Sequence, residues 1–175
     1  MNLTGKKIGL ELETREKIYN YISKHPGLHL NELSRKLNIP VSTINYHLNY
    51  LKKLGIIITK PNGKYLRYFI AEKIGKQEKE ILNFLRQDMP LKIVLFLLMY
   101  PNSSQIKISR YLGRHTTTIA FHLDKLINVD IIESISNGKE TNYKIKNEKN
   151  IFELLTKYKE SLIDEKINYL LYSWI

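Results

Sequence analysis

The chain has 175 residues, a formal net charge of +11 and no cysteine, and 43% of its residues are hydrophobic and 26% charged. This composition is typical of a globular protein, and the lack of cysteine excludes a disulfide scaffold, thiolate metal sites and cysteine-based redox sensing. The most apolar run, Leu91 to Tyr100, is about half as long as a bilayer-spanning helix, and the N-terminus lacks the apolar core of a signal peptide. We therefore expect a cytoplasmic protein.

The positive charge is confined to two stretches of the chain. Residues 15–70 contain ten Lys or Arg against two Asp or Glu, residues 90–145 contain seven against four, and the remaining segments are neutral. A basic excess of this kind favours a polyanionic partner, with nucleic acid first and an anionic membrane surface second. The alternative is that the lysines only keep the protein soluble.

The first basic stretch predicts three helices. An i, i+3, i+4 apolar stripe marks the first helix, the turn Pro26-Gly27 ends it, and "LNELSRKL" predicts a short second helix. The turn "NIP" leads into a longer third helix, after which Gly55 is expected to act as a C-terminal cap. The apolar stripes are Ile18, Tyr21 and Ile22 in the first helix and Ile44, Leu48 and Leu51 in the third.

A β-hairpin follows the third helix. The β-branched run "IIITK" and the alternating run "KYLRYFI" flank Pro61-Asn62-Gly63, which is a strong short-range hairpin signal. The order helix, helix, turn, helix, hairpin predicts a winged helix-turn-helix domain.

Residues 90–145 repeat residues 15–70 without a gap, with 18 identities in 56 positions. The sequence therefore predicts a mainly α fold with small β wings, formed by two tandem winged helix-turn-helix domains. We place the first domain at residues 1–70, a connecting helix at 71–89, the second domain at 90–145 and an amphipathic helix at 146–175.

The predicted C-terminal helix begins at Asn150, which stands in capping-box spacing with Glu153. At about 1.5 Å per residue the helix is about 37 Å long, and its apolar side requires a packing partner. It either folds back on its own chain or pairs with a second copy, and we favour pairing into a homodimer.

The third helix of the first unit, "STINYHLNYLKKLGII", resembles the recognition-helix signature of winged-helix transcription regulators of the ArsR and MarR type. The tandem arrangement with trailing helices is similar to two-winged-helix DNA-binding regulators of archaea. The second unit departs from the pattern at Asp124 and at Asp130, which replaces the glycine, and without cysteines thiol-based metal sensing is untenable. The residues that carry the resemblance are Ser42, Thr43, Ile44, His47, Leu48, Leu51, Gly55, Ile56 and Ile57.

In such a fold the third helix enters the major groove of DNA and the second crosses the backbone. With the apolar stripe buried, helical rotation of 100° per residue exposes hydroxyl, amide and amine side chains that can bond base edges. The alternative is a solvated helix face. The candidates in the first unit are Ser42, Thr43, Asn45, Tyr46, Asn49 and Lys53, flanked by Tyr50.

The same projection exposes a different set in the second unit. Phe121 is too apolar for a solvated face, although it could instead cover an interface, and phosphate would repel Asp124. The second unit therefore either reads DNA or serves assembly. Its DNA-binding candidates are Arg114, Thr117, Thr118 and Phe121.

Phosphate contacts are expected from cations of the wings and of the positioning helices. His47 and His122 either contact phosphate or bridge helix and wing, and the five histidines form no convincing metal set. The remaining DNA-binding candidates are Lys60, Lys64 and Arg67 in the first wing, Lys139 in the second, and Arg35, Lys36 and Arg110 on the positioning helices.

The sequence contains no phosphate-binding glycine loop, nucleophile elbow or zinc-protease motif, so we expect neither an enzyme nor a cofactor. The favoured hypothesis is a sequence-specific, double-stranded-DNA-binding transcription regulator. Two alternatives remain: an architectural DNA binder of low sequence specificity, and a winged-helix subunit that contacts proteins. RNA binding is disfavoured because the sequence lacks the exposed aromatic sheet of common RNA modules.

Overall fold

The computed structural model describes residues 3–136, 138 and 140–162. The chain divides into two units, Met1–Lys79 (unit 1) and Glu80–Ile175 (unit 2). The division falls within helix α4, Lys76–Leu85, which lies in the segment that the sequence predicts to connect the repeats.

Unit 1 has the predicted order of elements, and the short second helix occupies the predicted residues "LNELSRKL". This order confirms the winged helix-turn-helix fold. The elements are α1 (Leu3–Lys24), β1 (Leu28–His29), α2 (Leu30–Leu37), α3 (Val41–Lys53), β2 (Ile57–Asn62) and β3 (Tyr65–Ile70).

The hairpin turn of unit 1 lies slightly later than predicted. Because Asn62 pairs with Tyr65 across the two strands, the turn residues are Gly63 and Lys64, and Pro61 lies inside β2. Gly63 has φ +57°, which suits the first central position of a hairpin turn that favours glycine there. The sheet order is β1-β3-β2, so Pro61 lies in an edge strand, where its missing N–H does not break the sheet.

Strand β1 has only two residues, Leu28 and His29, and the sequence gives no signal for it. It pairs antiparallel with β3, with His29 opposite Arg67, and so joins the wing to the start of α2. Below this sheet lies one apolar core contributed by all three helices and the strands. The core residues include Ile18, Ile22, Leu33, Ile44, Leu48, Leu51, Ile57 and Ile70.

Unit 2 repeats the arrangement, with sheet order β4-β6-β5. The apolar run of the sequence forms the buried helix α5, as predicted. In the described part of the chain, no helix is both long enough and apolar enough to cross a membrane. The elements are α5 (Asp88–Met99), β4 (Ser103–Ser104), α6 (Gln105–Leu112), α7 (Thr116–Asn128), β5 (Ile132–Ser136) and β6 (Thr141–Ile145).

The residue after the recognition helix adopts left-handed backbone in both units. Gly55 has φ +69° and Asp130 has φ +61°. Aspartate adopts this conformation at a cost that glycine does not incur, and in unit 2 the Asp130 carboxylate accepts a hydrogen bond of 2.8 Å from Lys146 Nζ. The predicted cap geometry is therefore confirmed in unit 1, and the aspartate takes the same conformation in unit 2.

The helix that follows the second wing differs from the prediction. It begins earlier, as α8 (Glu148–Lys157), and a turn at Tyr158 separates it from α9 (Lys159–Leu162). Asn147, not Asn150, is the N-cap, because its side chain accepts from the Asn150 N–H at 3.1 Å. Residues 163–175, the rest of the predicted amphipathic helix, lie outside the described residues.

Candidate nucleic-acid interface

Helix α3 presents a polar face opposite its buried stripe. Ile44, Leu48 and Leu51 are almost fully buried, so the helical rotation turns the intervening residues outward, as predicted. Tyr46 is 55% exposed although it is aromatic. The exposed residues of this face are Ser42, Asn45, Tyr46, Asn49 and Lys53, whereas Thr43 is half-buried at its edge.

Tyr50 flanks this face and is covered in part by a cation from α1. The guanidinium carbon of Arg15 lies 3.8 Å from the centroid of the Tyr50 ring, a distance at which a cation–π interaction stabilises both groups. No sequence pattern singled out Arg15, because its contact with α3 depends on how the two helices pack.

His47 is buried, although one of the two roles expected from the sequence was a contact with phosphate. The side chain is only 2% exposed, and burial lowers its pKa, an effect that nearby Arg15 reinforces and Glu11 opposes. Arg15 and Glu11 both belong to α1, so His47 faces α1 and not the outward face of α3. His47 therefore lies with the buried stripe of α3. The prediction that it contacts DNA from the exposed face does not fit this position.

The positioning helix α2 carries two exposed cations, Arg35 and Lys36, in its last turn. The wing adds Lys64, which is exposed in the hairpin turn with its Nζ 5.3 Å from the centroid of the Tyr65 ring. Lys60 is half-buried in β2. These groups and Lys53 on α3 belong to the same small unit, which accounts for most of the positive charge of the chain.

Arg67 does not project from the wing, contrary to the expectation from the sequence. It is 5% exposed, and its Nη1 donates a 2.8 Å hydrogen bond to the carbonyl oxygen of Gly27. The same nitrogen lies 3.6 Å from Oε2 of Glu32. The alternation of the strand predicted an outward residue, but β1 and the start of α2 cover this side of β3. Arg67 is therefore removed from the group of exposed phosphate-binding candidates.

Helix α7 of unit 2 exposes a less polar face. Phe121 is 55% exposed, and Nζ of Lys125 lies 4.0 Å from the centroid of its ring. Thr117, Thr118 and Asp124 are also exposed. The Asp124 carboxylate is close enough to Tyr143 that it adds to the effect of burial in raising the pKa of that phenol.

His122 is half-buried, unlike His47. Its ring packs edge-on against Phe121 at 5.3 Å between centroids, and burial, followed by the charge of Lys125, lowers its pKa. A histidine held neutral in this way adds little to the positive potential of unit 2.

The cations of unit 2 are fewer and partly paired. Arg110 and Arg114 are exposed at the end of α6 and in the turn after it. In the wing, Lys144 forms a 3.0 Å ion pair with Glu133. The remaining candidate of this wing, Lys139, lies outside the described residues. The described surface of unit 2 is thus less suited to phosphate than that of unit 1.

Comparison with known proteins agrees with this fold. Residues 12–82 match a family model described as an N-terminal HTH domain. A protein of Methanocaldococcus jannaschii described as an uncharacterized HTH-type transcriptional regulator is 36% identical over 145 residues, which cover 83% of this chain and 36% of that protein. This chain therefore spans about a third of the length of that relative.

Two further similarities are more local. The cadmium resistance transcriptional regulatory protein CadC of Listeria innocua is 34% identical over 58 residues, or 33% of this chain and 49% of CadC. The homodimeric winged helix-turn-helix DNA-binding domain of a Mycobacterium bovis protein aligns with a TM-score of 0.39 at 18% identity. That alignment covers 51% of this chain and 90% of the other.

Proposed function

We propose that this protein is a transcription regulator that binds double-stranded DNA with sequence preference, inserting α3 into the major groove. The observation that carries the proposal is the outward face of α3. It combines hydroxyl and amide side chains, which bond base edges, with a buried stripe that fixes the orientation of the helix. Asn45 and Asn49 are the candidates for base contacts, since asparagine pairs well with adenine.

The charge of unit 1 supplies the sequence-independent part of the affinity. Arg35, Lys36, Lys53 and Lys64 are exposed, and each phosphate that such a cation neutralises releases counterions. The similarity to a protein described as an HTH-type transcriptional regulator supports the regulatory role.

The test is a fluorescence anisotropy titration of the full chain with two DNA duplexes, one selected from a random pool and one of scrambled sequence. At equal salt we expect a preference of about 10³ or more for the selected duplex. Between about 50 and 200 mM salt, both affinities should fall steeply. Strong binding without preference would favour an architectural DNA binder, and lack of binding to either duplex would contradict both.

Unit 2 has a second candidate role, the binding of protein. Phe121, Tyr100 and Tyr111 are each more than 40% exposed, and Lys144 is paired with a carboxylate. Exposed aromatic residues are enriched at protein-binding surfaces. Replacing Phe121 by Ala should leave DNA affinity within about twofold if unit 2 contacts protein, and should reduce it by about tenfold or more if α7 lies in a groove.

We further propose that the protein forms a homodimer through its C-terminal segment, residues 146–175. The support is the apolar side of this segment in the sequence. In the described part, α8 and α9, Ile151, Leu154, Leu155 and Leu162 are already buried within a single chain, so we assign the pairing surface to residues 163–175. Light scattering of the full chain and of a variant ending at Leu162 tests the proposal: we expect a dimer for the full chain and a monomer for the variant. A dimer in both cases would contradict it.

A further inference from the structure

A buried cation lies at the base of the unit 1 wing. Arg67 is 5% exposed, and burial lowers its pKa, whereas Glu32 and Tyr65 raise it. Burial of an ion pair is a poor source of net stability, because the loss of hydration offsets the attraction. In some proteins such a pair instead selects one geometry among several, so the groups that Arg67 joins indicate what it fixes here.

Arg67 joins the second strand of the wing to the start of the positioning helix. Its Nη1 donates to Gly27 in the turn before α2 at 2.8 Å and lies 3.6 Å from Glu32 in the first turn of α2. The Glu32 carboxylate in turn accepts from the backbone N–H of His29 at 2.8 Å.

A second contact lies nearer the tip of the wing. The ring of Tyr65 stacks on His29, with centroids 4.3 Å apart and planes inclined by 8°. Tyr65 directly follows Lys64, the exposed cation of the turn. We call the four residues His29, Glu32, Tyr65 and Arg67 the wing anchor.

Unit 2 builds the same backbone without the wing anchor. Ser104 pairs with Asn142 across β4 and β6, in the same register as His29 and Arg67 in unit 1. The positions of unit 2 that correspond to the anchor lie 75 residues later in the chain, and all four carry different residues. They are Ser104, Lys107, Glu140 and Asn142, in place of His29, Glu32, Tyr65 and Arg67. The anchor is therefore not required for the fold of a wing.

The anchor occurs in the unit whose wing has the additional lysine Lys60, whereas Lys64 is matched by Lys139 in unit 2. Lys60 of unit 1 corresponds to Ile135 in unit 2, and Lys60 lies directly opposite Arg67 in the β2–β3 pair. If the wing is held in one position, its lysines are already oriented in the free protein. Binding then does not lose the conformational entropy of ordering them.

We propose that Arg67 and Glu32 are positioning residues that hold the unit 1 wing so that Lys60 and Lys64 contact phosphate. The proposal rests on the proposed DNA binding. Neither positioning residue touches the DNA itself. Their effect on affinity therefore passes through the two lysines.

The experiment measures duplex affinity and its salt dependence for Arg67→Met, for Glu32→Gln and for the pair Lys60→Ala with Lys64→Ala, alone and combined. We expect each anchor variant to weaken binding by about tenfold and to reduce the salt slope by up to about 1.8, since each phosphate contact contributes about 0.9. In the chain that lacks both lysines, the same anchor substitution should change affinity by less than about twofold. Asn142→Met, at the matching position of unit 2, is the control and should change neither quantity.

Three outcomes would overturn the proposal. Equal losses with and without the two lysines would show that the anchor acts only through stability, and this result would leave DNA binding itself intact. Lack of DNA binding by the unmodified chain would remove both this proposal and the proposed function. Glu32→Gln keeps the size of the side chain and an oxygen that can accept from His29, so it serves as the test if circular dichroism shows that Arg67→Met does not fold. If neither variant folds, the anchor is a folding element and the proposal is wrong.

Discussion

Removal of four exposed cations of α2, α3 and the wing turn should abolish most of the salt dependence of DNA binding. Arg35, Lys36, Lys53 and Lys64 are exposed on α2, α3 and the wing turn. If each contacts one phosphate, together they contribute about −3.6 to the slope of log affinity against log salt, at about −0.9 per contact. Over the fourfold range from about 50 to 200 mM salt, this corresponds to a loss of about 150-fold.

The assay compares the unmodified chain with a variant in which these four residues are Gln. The matched control replaces four exposed lysines outside α2, α3 and the wing by Gln, and both variants lower the formal net charge from +11 to +7. We expect the first variant to lose a slope of about 3.6 and the control to lose less than about 1. Similar slopes for the two variants would refute the reasoning, because net charge and not position would then determine the affinity. The control residues are Lys17, Lys24, Lys76 and Lys149.

Four further predictions concern α3, its cap and the histidines His47 and His122. Ile44→Ala should lower the free energy of unfolding of unit 1 by about 2–5 kcal/mol in urea titrations, since it leaves a cavity at a fully buried position; a change below about 1 kcal/mol would contradict the core assignment. Asn49→Ala should weaken binding to the selected duplex by about 1–3 kcal/mol and leave the salt slope unchanged, and equal weakening on the scrambled duplex would count against a base contact. Gly55→Ala should destabilise unit 1 by about 1 kcal/mol, because its φ of +69° is unfavourable for alanine, and a thermal melt with no shift would be inconsistent with this. Burial lowers the pKa of His47 and of His122 below the ordinary 6.5, so the folded state binds fewer protons than the unfolded state and stability should fall as the pH drops below about 6.5; urea midpoints that do not move between about pH 7.5 and 5.5 would contradict it.

The sequence was most informative where local periodicity decides the structure. The stripe of Ile44, Leu48 and Leu51 set the orientation of α3, and the outward positions of Tyr46 and Asn49 follow from helical geometry alone. In the same way, the repeat predicted that unit 2 would have the same order of elements, which the structure confirms.

The sequence was least informative where two distant segments meet. Arg67 is buried because β1 pairs with β3, and a strand of two residues leaves no pattern in the sequence. His47 stands at the edge of the apolar stripe, so the stripe alone does not determine whether it is buried or exposed. The packing of α1 on α3 buries it. The predicted start of the C-terminal helix was wrong because asparagine is a good N-cap at either position, Asn147 or Asn150. Only the backbone conformation distinguishes the two.

The central claim, that α3 reads base sequence, is tested most directly by transplanting its outward face. The chain would carry the residues of α7 at the matching positions of α3, and both proteins would be used to select preferred duplexes from a random pool. We expect the unmodified chain to enrich a defined sequence. The transplanted chain should lose part of that preference, while its salt slope falls by no more than about two phosphate contacts because the substitutions lower the charge by two. An unchanged preferred sequence, or enrichment of none by the unmodified chain, would contradict the claim. The substitutions are Ser42→Thr, Asn45→Ala, Tyr46→Phe, Asn49→Asp and Lys53→Asn.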